Sequence, residues 1–200
     1  MIHFRTIQNY YIDPQWLGQR MLFLSGPRQC GKTSILRHKL CPSSEAYFNW
    51  DDRKVRQAYA KDTSFFTENN SGGWIIFDEI HKRPKWKDIL KGIYDVHSDQ
   101  YRFAISGSAR LEVFKKSGDS LFGRYFHTHL FPLNLPDFVK NDFTVPRDIE
   151  IFFQEAMDNK GHKEFPLLLK FGGFPEPFYK GLEDFWKRWP SVLPVYGWWS

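Results

Sequence analysis

Cysteine, long apolar runs and blocks of like charge are what this 200-residue sequence has least of. Each scarcity removes a class of protein. The two cysteines, Cys30 and Cys41, cannot make a disulfide scaffold and fit a reducing cytoplasm. No apolar stretch approaches the roughly 18 residues that cross a bilayer, so no membrane partner is expected. Residues 1–14 mix His, Arg, Gln, Asn and Asp, which leaves no apolar core for a signal peptide. No block of like charge marks a polyelectrolyte tail. There is no internal repeat and no low-complexity tract. The scattered serines and histidines contain no nucleophile elbow, and the histidines lack Cys or acidic partners at metal-binding spacing. His127 and His129 read as exposed residues on one strand face.

What is present is an ordinary globular balance, rich in aromatics, with 20 Phe and 8 Trp. The net charge of +5 is compatible with a polyanion such as DNA. The basic residues are nevertheless spread along the chain, as on a solvated surface. Short apolar runs alternate with helix-patterned segments. Strands are expected at 21–24, 47–50, 74–77, 102–105 and 125–130. Helices are expected at 33–40, 53–60, 84–96, 149–157 and 165–171. This alternation predicts an α/β fold with a mainly parallel sheet covered on both faces. Beyond Phe131 recurrent prolines break the chain into short helical pieces.

The first strand runs into Gly26-Pro27-Arg28-Gln29-Cys30-Gly31-Lys32-Thr33, followed by Ser34. This matches G-x-x-x-x-G-K-[ST] in full. A chance match is expected in about one chain of this length in a hundred, and the strand before it and helix after it lower that figure further. The glycines open backbone conformations closed to other residues. The loop's N–H groups and the helix N-terminus can then surround phosphates. Lys32 is expected to reach the β- and γ-phosphates of ATP, and Thr33 to bind Mg²⁺. Arg28 faces solvent or contacts phosphate. Cys30 either fits sterically or serves as a redox-sensitive thiol.

The third strand ends in Asp78-Glu79. An acid at that strand end can hold the Mg²⁺ shell beside Thr33. A second acid one residue on can polarise an attacking water, which favours hydrolysis over transfer to a substrate. The fourth strand ends in Ser106-Gly107-Ser108-Ala109-Arg110. Ser106 or Ser108 can contact the γ-phosphate or the water, and Ser108 can equally cap a helix. Asp51 and Asp52 read as a helix N-cap or as members of the metal network.

Taken in order, the P-loop, Phe77-Asp78-Glu79-Ile80-His81-Lys82, Ser106-Gly107-Ser108-Ala109-Arg110-Leu111, Ser120-Leu121-Phe122-Gly123-Arg124-Tyr125 and Gly172-Gly173-Phe174-Pro175-Glu176-Pro177-Phe178 resemble one family. It is the branch of bacterial and archaeal AAA+-superfamily ATPases that usually carries a C-terminal nuclease-like or winged-helix domain. The resemblance spans residues 10–188. It implies a P-loop NTPase three-layer sandwich with strand order 5-1-4-3-2, followed by a partial helical lid. It implies an ATPase core over 1–132, the lid over 133–188 and an atypical tail over 189–200. Lys32 and Thr33 become the Walker A residues, and Asp78 and Glu79 the Walker B pair. Ser106 or Ser108 falls at sensor 1. Arg124 is then an arginine finger or a structural salt-bridge partner, with Arg110 the lesser candidate for a finger. The tail, with Pro190 and Pro194, departs from the family's charged helix. The expectation drawn from this is a truncated or frameshifted product without an assignable sensor-2 arginine. Three functions stay open: an ATPase acting on a protein partner or DNA and able to form oligomers, a nucleotide-dependent switch with little turnover, and an inactive fragment.

Overall fold

The computed structural model describes residues 14–41, 44–107, 120–138 and 163–192. The described residues divide between two compact units. Those within 14–27 and 31–130 belong to one, and those within 28–30 and from 131 onward belong to the other.

The first unit is built on five parallel strands: β1 (Met21–Ser25), β2 (Tyr47–Asn49), β3 (Gly73–Asp78), β4 (Tyr101–Ser106) and β5 (Tyr125–His129). Their order is β2-β3-β4-β1-β5, as the resemblance implies. All four pairings are parallel. Strands β1, β3 and β4 are nearly continuously buried because helices cover both faces of the sheet. A short helix α1 (Pro14–Leu17) precedes β1.

Part of the phenylalanine content packs on one face of the sheet. Phe77 and Phe103 stack at 6.2 Å, and Phe66 meets both edge-on at 5.8 Å. All three are essentially buried, and burial of each contributes about 1.5–3 kcal/mol. Helix α4 (Trp86–His97) covers this face, with Trp86 against Phe23 and His97 against Phe66. Helix α3 (Arg53–Lys61) starts at Asp52, whose carboxylate accepts from the Lys54 N–H at 2.8 Å. Asp52 is therefore the N-cap, a contact of about 1 kcal/mol.

The helix after the P-loop differs from the uniform one expected. It is α-helical only over Lys32–Ile35 (α2), then continues as a π-helical turn over Leu36–Leu40. The Cys41 N–H reaches back five residues to the Leu36 carbonyl at 3.2 Å. The wider turn keeps Leu36 and Leu40 buried while Arg37 and His38 face outward.

The second unit contains three short described helices: α5 (Phe165–Phe171), α6 (Pro175–Lys180) and α7 (Glu183–Arg188). Proline opens the first two, where a missing N–H costs nothing. Gly172 and Gly181 end them with positive φ. Aromatic pairs Phe138–Phe178 and Phe174–Trp189 are among the contacts that pack its described residues. The helix expected at 149–157 lies outside the described residues.

Candidate functional site

Lys32, Thr33, Asp78, Glu79 and Ser106 gather at the carboxyl ends of the strands, where open parallel sheets bind ligands. The register sets this up. Asn49, Asp78, Ser106 and Leu24 lie in one row across β2, β3, β4 and β1. Side chains in one row share a sheet face, so Asp78 and Ser106 face the P-loop helix together. Backbone bonds continue past the strand ends. The Glu79 N–H donates to the Ser106 carbonyl at 2.9 Å, and the Leu130 N–H to the Ser25 carbonyl at 2.8 Å.

Gly26 opens the loop at φ 142°, and a Cβ there would collide with the carbonyl of Leu130 at the end of β5. Only glycine fits such a close approach of two backbones. Gln29 and Gly31 also take positive φ, which completes a tight loop. Lys32 is buried, and its ammonium lies inside the loop, donating to the carbonyls of Gly26 at 2.8 Å and Pro27 at 2.6 Å. Arg28, Gln29, Thr33 and Ser34 are exposed, and Cys30 is buried and in no disulfide.

The Thr33 hydroxyl donates to Asp78 Oδ2 at 3.1 Å, joining two motifs 45 positions apart. The hydroxyl of Ser106, fully buried, donates to Asp78 Oδ1. The phenol of Tyr47 donates to Asp78 Oδ2. Burial pushes the ionisation of Tyr47 well above the usual tyrosine range, and the hydrogen bond to Asp78 adds to this. Tyr47 escaped the sequence reading because no motif contains it. Its signal is positional: it lies two residues before Asn49, which pairs with Asp78, and so shares that face.

Glu79 takes the left-handed conformation, φ 60°, at the start of a tight turn over Ile80–Lys82. Its carboxylate lies 3.1 Å from the Lys82 ammonium and 3.7 Å from His81 Nε2. Lys82 also holds Asp51, with contacts of 2.6 and 2.8 Å. Hydrogen bonding to Asp51, and then to Glu79, raises the Lys82 ammonium above its ordinary range. Asp51 thus pairs with Lys82 while Asp52 caps the helix.

Arg124 immediately precedes β5, beside Met21 at the amino end of β1. Its guanidinium donates to both carboxylate oxygens of Asp95 on α4, at 2.8 and 3.3 Å. That salt bridge lies at the end of the sheet opposite the P-loop. Ser108 and Arg110 lie outside the described residues. His127 and His129 are half-buried rather than exposed. Both bond the buried Ser25 hydroxyl, at 2.8 and 3.2 Å, because the parallel pairing sets them beside β1.

The donor set fits a nucleotide with its metal. Thr33 and Asp78 supply the hard oxygens that Mg²⁺ takes, and the loop supplies a cation and a helix N-terminus for phosphates. A P-loop after an internal strand of a parallel sheet ordered β2-β3-β4-β1-β5 defines an α/β P-loop NTPase fold of AAA+ type. The family profile described as "AAA domain" matches residues 18–139, more than half of the chain. The chain therefore belongs to the AAA-domain family, a family of nucleotide-binding P-loop proteins.

An uncharacterized protein of Methanocaldococcus jannaschii, MJ1544, is 32% identical over 177 residues, covering 84% of this chain and 38% of that protein. The chain thus spans well under half of that relative. Two solved structures are among those to which the chain is similar. The Aeropyrum pernix Orc1 protein in complex with DNA is 14% identical, over 88% of this chain and 56% of that one, with a TM-score of 0.47. The Thermotoga maritima RuvB Holliday junction branch migration motor is 15% identical, over 92% and 59%, with a TM-score of 0.45. No described helix is long and apolar enough to cross a membrane.

Proposed function

We propose that the chain is a Mg²⁺-dependent ATPase core. The observation that carries this reading is the Thr33–Asp78 hydrogen bond, with Glu79 next in sequence. It joins the phosphate loop to the acid pair that hydrolysis requires. Thr33 and Asp78 would hold the metal, and Gly26 to Ser34 the phosphates. Bound Mg²⁺ supplies charge neutralisation at the β- and γ-phosphates. Lys32 would exchange the loop carbonyls for phosphate oxygens. Ser106, through Asp78 Oδ1, keeps that carboxylate oriented. Glu79 would take a proton from the attacking water as its oxygen bonds to the γ-phosphorus and the bond to the bridging oxygen breaks.

Arg124 is too far to serve its own P-loop. Four strand steps separate Met21 from Ser25, about 13 Å at the usual rise, more than an arginine side chain spans. An arginine-finger role for it is therefore a role toward the site of a second copy, and in a single copy it is a salt-bridge residue. The helices of the second unit would act as the lid that responds to loss of γ-phosphate contacts. The net charge of +5 supports a second reading, a nucleotide-dependent switch on DNA with little turnover.

The test is phosphate release by the chain with and without DNA, beside equilibrium ATP binding. Glu79→Gln is expected to keep ATP affinity and lose phosphate release. Lys32→Ala is expected to lose ATP binding. No release by the unaltered chain under either condition excludes the ATPase reading, and normal ATP affinity in Lys32→Ala removes the P-loop assignment.

A further inference from the structure

Asp78 accepts three side-chain hydrogen bonds from three different elements. Thr33 comes from α2 and Ser106 from β4. The third donor, Tyr47 of β2, stands outside both nucleotide motifs. It donates to Oδ2, the same oxygen that Thr33 uses.

The ring is held independently of its hydroxyl. Tyr47 is half-buried, and the Arg37 guanidinium from the π-turn lies 4.6 Å from the ring centroid. A cation over an aromatic face is attracted to it. Phenylalanine at this position would keep the ring packing and lose only the donor. The two parts of the side chain can therefore be separated by experiment.

We propose that Tyr47 is a positioning residue for the metal-binding carboxylate, holding Asp78 Oδ2 so that Asp78 and Thr33 present one preformed oxygen site to Mg²⁺. This rests on the reading of Asp78 and Thr33 as the metal residues. A carboxylate with donors on both oxygens cannot rotate without giving one up. The Thr33 hydroxyl has a single proton and must also offer a lone pair to a metal. Tyr47 supplies Oδ2 with a donor that has no such second task. Donors behind a metal ligand typically govern metal affinity by about 10–100-fold. A neutral phenol sharing its acceptor belongs at the lower end of that range.

The experiment uses the 200-residue chain and its Tyr47→Phe variant. Affinity for a fluorescent ATP analogue is titrated across Mg²⁺ concentrations and again in EDTA. The expected result is a Mg²⁺ midpoint raised about tenfold, with affinity in EDTA unchanged. An unchanged or lowered midpoint overturns the proposal. So does an equal loss of affinity with and without Mg²⁺, which marks a role in folding alone. If Mg²⁺ does not alter analogue affinity in the unsubstituted chain, the metal-site reading itself falls and this inference with it.

Discussion

Gly26→Ala is the sharpest test of why the phosphate loop begins where it does. Two costs follow from the backbone. At φ 142° an L side chain is strained wherever it points, a cost of about 1–3 kcal/mol. The added methyl would also overlap the Leu130 carbonyl oxygen and lie 3.1 Å from its carbon and 3.3 Å from its nitrogen. Backbone atoms at the residues directly after β1 and β5 cannot swing aside as a side-chain tip can, so this overlap adds about 1–3 kcal/mol. The sum is about 2–6 kcal/mol, a large part of the stability of a domain this size. With about 2–4 °C lost per kcal/mol, the midpoint of thermal unfolding should fall by about 8–16 °C for a loss near 4 kcal/mol.

Gly123→Ala is the matched control. Gly123 also has positive φ, 78°, but nothing lies within 4 Å of its would-be Cβ. It should lose only the strain, about 1–2 kcal/mol. Circular dichroism melts of the two variants give the difference directly. Equal midpoints would show that the β1–β5 approach does not select glycine at position 26, and would refute the reasoning.

Two further substitutions probe other parts of the molecule. Gly173→Ala places a methyl against the Leu133 carbonyl oxygen and 3.1 Å from the Leu133 nitrogen, so the second unit should lose about 1–3 kcal/mol. Tryptophan fluorescence during urea unfolding reads this, and an unshifted midpoint counts against the packing described. Asp95→Asn tests the salt bridge at the sheet's amino end. Arg124, through its hydrogen bonds, holds the Asp95 carboxyl below its ordinary range. The pair's contribution is then complete above the ordinary carboxylate pKa and disappears as pH falls through the lowered one. The variant should melt lower than the parent at neutral pH and match it in strong acid, with salt shrinking the gap. A gap that persists in acid rules the pair out as its cause.

The histidines and the glutamate turn illustrate where sequence reading stopped. His127 and His129 were legible as one face of a strand, but their common partner Ser25 sits 102 and 104 positions away and depends on which strand flanks β1. Glu79 was legible as an acid after a strand. Its partner Lys82 was not assigned to it, nor was the Asp51 carboxylate that the same ammonium holds, because Asp51 lies 31 positions from Lys82 and follows a different strand. Arg124 carried two open readings. In the fold it pairs with Asp95 and lies at the far end of the sheet from the P-loop.

By itself the sequence determined the strands, the phosphate loop and the acid pair. These are local patterns: an apolar run, a glycine spacing, an acid where a buried strand surfaces. Strand order was legible only through family resemblance, since nothing within one strand names its neighbours. The sequence placed Thr33 beside Asp78, but tertiary structure alone decided that Tyr47 and Ser106 share the same carboxylate. Tyr47, Thr33 and Ser106 come from three elements, and only a parallel register that aligns Asn49, Asp78 and Ser106 brings their hydroxyls to one carboxylate.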